Sequence, residues 1–224
     1  MSVNKEAYAT IRQQVTEAGA LLVAVSKTKP VEDIQDLYEL GQRDFGENYV
    51  QELADKQPQL PADIRWHFIG HLQTNKVKYI APFVYMIHGV ESFKLLKEIN
   101  KQAARQQRVI RCLLQLHIAQ EETKFGMNRD ELAGLLDAYL LEKDQLPHVE
   151  LCGIMAMASF TSDETKIRTE FQEAGGLFNW IRETYAHILP AFRECSYGMS
   201  GDYPVALQEG STMVRIGSLI FGHR

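Results

Sequence analysis

The chain has 224 residues, a length that suits one α/β barrel, and its 45% apolar content is enough for a sizeable core. Its 24 basic and 29 acidic residues give a net charge of −5, which argues against broad binding to nucleic acid, since that requires a basic face. No apolar run reaches about 18 residues and no basic segment leads into an apolar one at the start, so we expect a cytoplasmic protein without membrane contact.

Strand-like and helix-like segments alternate along the chain. A helix is predicted over residues 5–18, and the apolar run at 21–25 that follows has the length of a buried strand. In chain order, strands are predicted at 21–25, 43–45, 66–69, 84–88, 110–117, 149–155, 194–196 and 213–216. Eight strands that alternate with helices predict a single (β/α)8 barrel of the TIM type, one domain over residues 1–224.

The helices between these strands carry recognisable ends and faces. Gly41 is a natural stop for the helix after the first strand. Asn128 with Glu131, and Thr161 with Glu164, resemble capping boxes that open two later helices. The last long helix carries a core-facing stripe formed by Ile167, Phe171, Ala174, Phe178, Ile181 and Tyr185.

The cysteines give no sign of a disulfide or a metal centre. They are three, scattered and without CxxC spacing, so we expect reduced core thiols at Cys112, Cys152 and Cys195. His67 and His71 are four residues apart, but Gly70 and the strand context spoil the helical geometry of a metal-binding pair. We therefore expect no metal, core hydrogen bonding for His67, and a cofactor-side or structural role for His71.

Lys27 lies at the mouth of the first predicted strand, just before Pro30. Burial disfavours the ammonium form, so a desolvated lysine gains a nucleophilic amine that can form a Schiff base with an aldehyde. The alternative is a lysine whose stem crosses the strand end while its charge stays in solvent.

Two later loops suggest what such an aldehyde carries. Barrel active sites form at the C-terminal ends of the strands, and the loops after strands seven and eight commonly hold phosphate. Here these loops are 198–202 and 216–218, where small residues let N–H groups approach an anion and Ser200 and Ser218 add hydroxyls. Glycines at strand ends are often only turns, but a phosphate cradle beside a reactive amine indicates pyridoxal phosphate.

Seven sequence blocks in a fixed order carry a resemblance over nearly the whole chain. They are AVSKTKP (24–30), FGENYVQE (45–52), WHFIGHLQTNK (66–76), KFGM (124–127), GIMAMA (153–158), YGMS (197–200), and RIG with FG (215–217 and 221–222). The chain resembles the pyridoxal phosphate homeostasis proteins, whose fold is similar to the barrel domain of alanine racemase. Membership implies pyridoxal 5′-phosphate as the cofactor.

The resemblance implies that Lys27 carries the cofactor as an internal aldimine. It places Ser200, Gly201, Gly217 and Ser218 near the phosphate. The block that contains Ser200 also brings Met199 to the site, where a methionine is expected to pack around the barrel mouth. None of these residues is assigned a catalytic role.

Arg215 matches the position that faces the pyridine nitrogen in this family, while Asn48 and His71 are expected on the cofactor side. An arginine stays charged and cannot fully protonate the ring, so the ring remains a weak electron sink. This fits a carrier or racemase-like chemistry better than a transaminase. The alternative for Arg215 is an interior arginine paired with a barrel carboxylate.

Racemisation through two bases needs a group on each face of the substrate. Alanine racemase supplies one from a tyrosine of a second, β-rich domain, and this domain is expected to be absent because the sequence stops at Arg224. Tyr197 and Tyr203 are the only candidates near the mouth, and no spacing sets them opposite Lys27. Strong racemase activity is therefore expected to fail.

The primary hypothesis is a monomeric protein that binds pyridoxal phosphate on Lys27 and exchanges it with apo-forms of pyridoxal phosphate-dependent enzymes, without strong catalysis of its own. The first alternative is a small single-domain racemase or lyase for amino acids that uses the same lysine. The second is a barrel that binds another phosphorylated small molecule, with Lys27 as a plain cation.

Overall fold

Strand pairing in this protein follows chain order and closes on itself. The structure, a computed structural model, describes residues 3–118 and 126–222. Within these ranges each strand pairs in parallel with the next, and the eighth returns to the first, giving a closed barrel. The strands are β1 Leu21–Val25, β2 Asp44–Glu47, β3 Arg65–Phe68, β4 Met86–Val90, β5 Ile110–Gln115, β6 Val149–Met155, β7 Glu194–Ser196 and β8 Met213–Ile216.

Helices fill the connections between the strands. In the described chain they are α1 Lys5–Glu17, α2 Val31–Glu39, α3 Val50–Lys56, α4 Val77–Ile80, α5 Phe93–Arg105, α6 Arg129–Glu142, α7 Glu164–Tyr185, α8 Tyr203–Gln208 and α9 Ser218–Phe221. Short 3₁₀ segments lie at Gln57–Gln59, Thr74–Lys76 and Lys143–Gln145. No helix among the described residues combines the length and apolar character needed to cross a bilayer.

The predicted (β/α)8 barrel is confirmed, with small shifts in strand ends. The predicted bounds hold for β1, β6, β7 and β8, whereas β2, β3 and β4 shift by one or two residues and β5 ends two residues earlier. The shift at β2 has a clear cause. Its pairing with β3 continues to the register pair Glu47 and Phe68, and a buried glutamate is not recognisable as a strand residue from its hydrophobicity.

Two helix signals are confirmed. Asn128 and Glu131 form a capping box at the start of α6, with the Glu131 N–H donating to Asn128 Oδ1 at 3.0 Å and the Asn128 N–H to Glu131 Oε2 at 2.9 Å. The apolar stripe predicted along α7 is buried at all six positions.

The second predicted capping box, Thr161 with Glu164, is wrong. The N-cap of α7 is Asp163, whose side chain accepts from the N–H of Lys166 at 3.1 Å. Thr161 instead accepts from the Asp163 N–H at 3.1 Å and so shapes the turn before the cap. A carboxylate is the better partner for the positive end of a helix, so Asp163 displaces the threonine from the capping position.

The barrel interior forms a small apolar layer distinct from the main core. The larger core involves both helices and strands, but a second cluster of buried residues contains strand residues only, namely Val23, Met86, Leu113, Cys152, Met155 and Met213. His88 and Arg215 follow Met86 and Met213 by two residues. Because side chains alternate along a strand, they share the inward face and lie one layer nearer the C-terminal mouth.

Close approach of two strands explains a glycine in the middle of β6. Gly153 is the register partner of Glu194 on β7. A Cβ at this position would overlap the carbonyl oxygen of Glu194 and lie 2.8 Å from its nitrogen. Because both neighbours are backbone atoms of a closed barrel, neither can move aside without disturbing the strand pairing.

We expect Gly153→Ala to lower the free energy of unfolding by about 3 kcal/mol, because the added methyl group forces β6 and β7 apart. Urea unfolding measures this change. Gly176→Ala is the matched control: it lies in α7 with nothing within 4 Å of its Cβ, and should raise stability by about 1 kcal/mol. Equal stability of the two variants would contradict the packing argument.

Candidate cofactor site

The predicted site residues meet at one end of the barrel. All eight strands of the described chain run in the same direction, so the segments that follow them emerge at a common mouth. The predicted residues lie at the ends of, or directly after, β1, β2, β3, β7 and β8. They are Lys27, Asn48, His71, Met199, Ser200, Gly201, Arg215, Gly217 and Ser218.

The loop that carries Lys27 is held on both sides of the lysine. Lys27 is half-buried, two residues after β1. Its neighbour Thr28 adopts a φ of 63°, a left-handed conformation that β-branched residues rarely take, and its N–H donates to Glu52 at 2.5 Å. Lys29 donates from Nζ to the carbonyl oxygens of Phe221 and Gly222 at 2.8 and 3.1 Å. These contacts fix the backbone from which Lys27 extends.

A buried ion cluster contacts the residues on both sides of Lys27. Lys56 Nζ contacts Glu47 at 2.8 Å, Glu52 at 2.6 Å and the carbonyl oxygen of Ser26 at 2.9 Å, while the Ser26 hydroxyl donates to Glu47 at 2.7 Å. Burial raises the pKa of Glu47 although Lys56 opposes the shift. Glu47 Oε2 has no hydrogen-bond partner among the described residues. Sequence analysis missed this cluster, whose one visible signal is the four-residue spacing of Glu52 and Lys56.

The loops after β7 and β8 touch each other and the end of β1. The N–H of Gly217 donates to Ser200 Oγ at 3.3 Å. A Cβ on Gly217 would lie 3.1 Å from the carbonyl oxygen of Val25, so the loop packs directly against the strand that leads to Lys27. Ser218 is half-buried and opens α9, where the first N–H groups have no partner within the helix. Ser200 and Gly217 thus lie together at the end of the strand that leads to Lys27.

The segment before α8 contains an unexpected carboxylate. Asp202 is buried and accepts the N–H of Met199 at 2.5 Å, so this amide is already engaged. Gly201 is exposed, and a Cβ there would meet nothing within 4 Å. Asp202 follows directly after the predicted phosphate residues and was not identified from the sequence. It shapes the turn through the Met199 amide.

Arg215 is buried inside the barrel and is held by neutral acceptors. Its Nη1 donates to the carbonyl oxygen and hydroxyl of Ser196 at 2.5 and 2.6 Å, and its Nη2 to the carbonyl oxygen of Ala156 at 3.0 Å. Burial lowers the pKa of Arg215 to about 10, while Asp202 opposes the shift. No ion pair joins Arg215 to a carboxylate in the described chain, so the alternative of a simple interior salt bridge is not what the structure contains.

The remaining predicted polar residues lie around the mouth with different degrees of exposure. His71 is exposed and pairs with Glu91 through Nδ1 at 2.9 Å. Asn48 is half-buried. Its backbone packs so closely on Gly70 that a Cβ added to Gly70 would overlap the carbonyl oxygen of Asn48. His67 lies deeper, between His88 and a carboxylate, which confirms the predicted core hydrogen bonding. The described residues contain no group of three or more His, Cys, Asp or Glu side chains arranged to hold a metal.

Comparison with known proteins gives the same architecture. The family model of the alanine racemase N-terminal domain matches residues 5–224. The structure of PipY from Synechococcus elongatus PCC7942 with PLP bound superposes with a TM-score of 0.86 and 32% sequence identity, covering 97% of this chain and 99% of that chain.

Two curated relatives are named pyridoxal phosphate homeostasis protein. That of Aquifex aeolicus is 39% identical over 206 residues, which cover 92% of this chain and 87% of the relative. That of Synechocystis is 36% identical over 225 residues, which cover 100% of this chain and 98% of the relative. With matches of this extent, the chain belongs to the pyridoxal phosphate homeostasis protein family, built on the alanine racemase N-terminal domain.

Proposed function

We propose that this protein binds pyridoxal 5′-phosphate at the barrel mouth and acts in cofactor homeostasis as a carrier. The observation that carries the proposal is the convergence of Lys27, Ser200, Gly217 and Arg215 at one end of the barrel. Relatives that share the fold over nearly their whole length carry the homeostasis name, and one was solved with the cofactor bound.

The donor set fits the chemical features of this cofactor. Lys27 supplies a primary amine to bond covalently with the aldehyde carbon. The hydroxyl of Ser200, which the Gly217 N–H holds in place, and the start of α9 supply neutral donors to a phosphate dianion. Arg215 supplies a guanidinium to the ring nitrogen. When bound, the cofactor contributes an aldehyde that condenses with amines and a ring that withdraws electrons.

A carrier is favoured over a racemase because neither tyrosine near the mouth serves as a second base. The Tyr197 hydroxyl donates to the carbonyl oxygen of Glu209 at 2.8 Å, and burial raises the pKa of Tyr197. The Tyr203 hydroxyl donates to Gln14 at 2.7 Å, on α1. Both hydroxyls are therefore engaged with groups other than Lys27, so neither of these two tyrosines is placed to remove a proton on the second face of a substrate.

We place the carrier role in the cytoplasm, with apo-forms of pyridoxal phosphate-dependent enzymes as recipients and the monomer as the working form. Cys112, Cys152 and Cys195 are free and buried, as expected in a reducing compartment. Arg215 supports the absence of strong catalysis, since a guanidinium with neutral partners leaves the ring weakly electron-withdrawing.

Incubation with pyridoxal phosphate should give a visible absorbance band that borohydride fixes as an adduct on residue 27, measured by peptide mass mapping. Lys27→Ala should lose the band because the amine is gone, while Lys78→Ala, an exposed lysine, should keep it. If the adduct were instead spread over surface lysines to the same extent in both variants, covalent binding at Lys27 would be wrong. The protein would then be a barrel that binds only the anion.

Arg215→Glu should change the absorbance of the bound cofactor, because a carboxylate stabilises a proton on the ring nitrogen where a guanidinium does not. Arg215→Lys keeps a positive charge and is the control. Far-ultraviolet circular dichroism checks that each variant is folded. If the Arg215→Glu protein is folded and loaded with cofactor but its spectrum is unchanged, the prediction that residue 215 faces the ring nitrogen is wrong.

Ser200→Asp should weaken cofactor loading by at most about 3 kcal/mol, because the new carboxylate repels the phosphate while other donors remain. Equilibrium titration followed by absorbance measures the loss. Ser200→Asn has a similar size without the charge and should bind more tightly than Ser200→Asp. Undiminished loading of the aspartate variant would place the phosphate elsewhere.

A further inference from the structure

A continuous line of hydrogen bonds crosses the barrel interior from β8 to β2. Arg215 Nη1 lies 2.6 Å from Ser196 Oγ, and Ser196 Oγ lies 3.1 Å from His88 Nδ1. His88 Nε2 lies 2.9 Å from His67 Nδ1, and His67 Nε2 lies 3.0 Å from Asp44 Oδ1. All five residues are buried and come from β8, β7, β4, β3 and β2. We call this set the interior chain.

The two ends of the interior chain fix its direction. The guanidinium of Arg215 can only donate. Burial pushes the pKa of Asp44 upward, but hydrogen bonds from Arg65 and His67 outweigh burial, so its pKa lies below the ordinary value and the group is a carboxylate. A carboxylate can only accept, so His67 carries a hydrogen on Nε2. Arg65 Nε also donates to Asp44 at 2.7 Å.

With both imidazoles neutral, a single arrangement of hydrogens satisfies every contact. His67 Nδ1 then accepts from His88 Nε2–H, and His88 Nδ1 accepts from the hydroxyl of Ser196, which accepts from Arg215. Burial, with His67 and Arg215 nearby, holds the pKa of His88 well below its ordinary value, consistent with a neutral ring. Each group from Arg215 onward donates to the next, ending at the carboxylate of Asp44.

This arrangement matters for a buried charge whose hydrogen-bond acceptors among the described residues are all neutral. Aligned hydrogen bonds polarise one another, so the acceptor on Ser196 becomes more negative than an isolated hydroxyl. The positive charge of Arg215 is thereby coupled to Asp44 through three intermediate groups. The same bonds restrict where the guanidinium lies, because Nη1 is held by Ser196 and Nη2 by Ala156.

We propose that Ser196, His88 and His67 are positioning residues that orient Arg215 toward the ring nitrogen of the cofactor and support its charge. This role rests on the proposed function, since it concerns the same ligand. If the interior chain served only to stabilise the fold, removing one of its links would change the free energy of unfolding and nothing else. The positioning role also requires a change in the spectrum of the bound cofactor when a link is removed.

The first arm of the test uses cofactor-free protein labelled with ¹⁵N-histidine. NMR should find the hydrogen on Nε2 and an accepting Nδ1 in both His67 and His88, the arrangement that their contacts require. Ser196→Ala should shift the Nδ1 resonance of His88, because that nitrogen loses its donor. A charged His67, or a His88 ring with its hydrogen on Nδ1, would reverse the direction of the chain and overturn the proposal.

The second arm compares loaded variants. Ser196→Ala should move the absorbance maximum of bound pyridoxal phosphate and weaken its binding roughly tenfold, the effect of losing one hydrogen bond to a charged group. Ser196→Thr keeps the hydroxyl and should restore both properties. Ser211→Ala is the matched control, since Ser211 is also buried and, among the described residues, its hydroxyl contacts the carbonyl oxygens of Cys195, Tyr197 and Met213.

The outcomes separate this role from the proposed function. Suppose that Ser196→Ala and Ser211→Ala bind the cofactor with the same absorbance spectrum and the same affinity, while Arg215→Glu has a different spectrum. The interior chain then has only a structural role, and the positioning role is wrong. If unaltered protein takes up no pyridoxal phosphate, the proposed function fails and the positioning role fails with it, whichever tautomers NMR finds.

Discussion

Closure of the barrel is the constraint on which the site depends. Because β8 pairs with β1, the register partner of Val23 is Arg215, and the loop after β8 packs on the end of β1. Segments from opposite ends of the chain thereby become neighbours, since Gly217 contacts both Ser200 and the end of the strand that leads to Lys27. Parallel strands place all of these at one mouth, so no single loop has to supply the site.

Polar groups below the mouth make this arrangement rigid. The buried Glu47–Lys56 pair contacts the carbonyl oxygen of Ser26, next to Lys27, and Arg215 is hydrogen-bonded to the other buried members of the interior chain through Ser196. Burial of such groups costs free energy, and their ion pairs and hydrogen bonds largely offset this cost. Their net contribution to stability is therefore small. What they provide is a fixed geometry, since any displacement would leave a charge or an imidazole without its partner.

The sequence predicted the barrel and the mouth because both depend on local patterns. Apolar runs mark the strands, and residues that follow a parallel strand must reach the same end. The interior chain was beyond sequence analysis, since Ser196 meets His88 only through the register of strands that are distant along the chain. The N-cap of α7 was also predicted wrongly. Two side chains that can cap a helix lie within one turn, and Asp163 takes the position predicted for Thr161.

The contact between Lys29 and the carbonyl groups of Phe221 and Gly222 has a consequence for synthesis on the ribosome. Until β8 emerges, β1 keeps an open edge and the loop that carries Lys27 lacks its last anchors. Arg215 and Gly217 arrive at the same late stage. The loop that carries Lys27 therefore reaches its anchored form only after β8 has docked on β1.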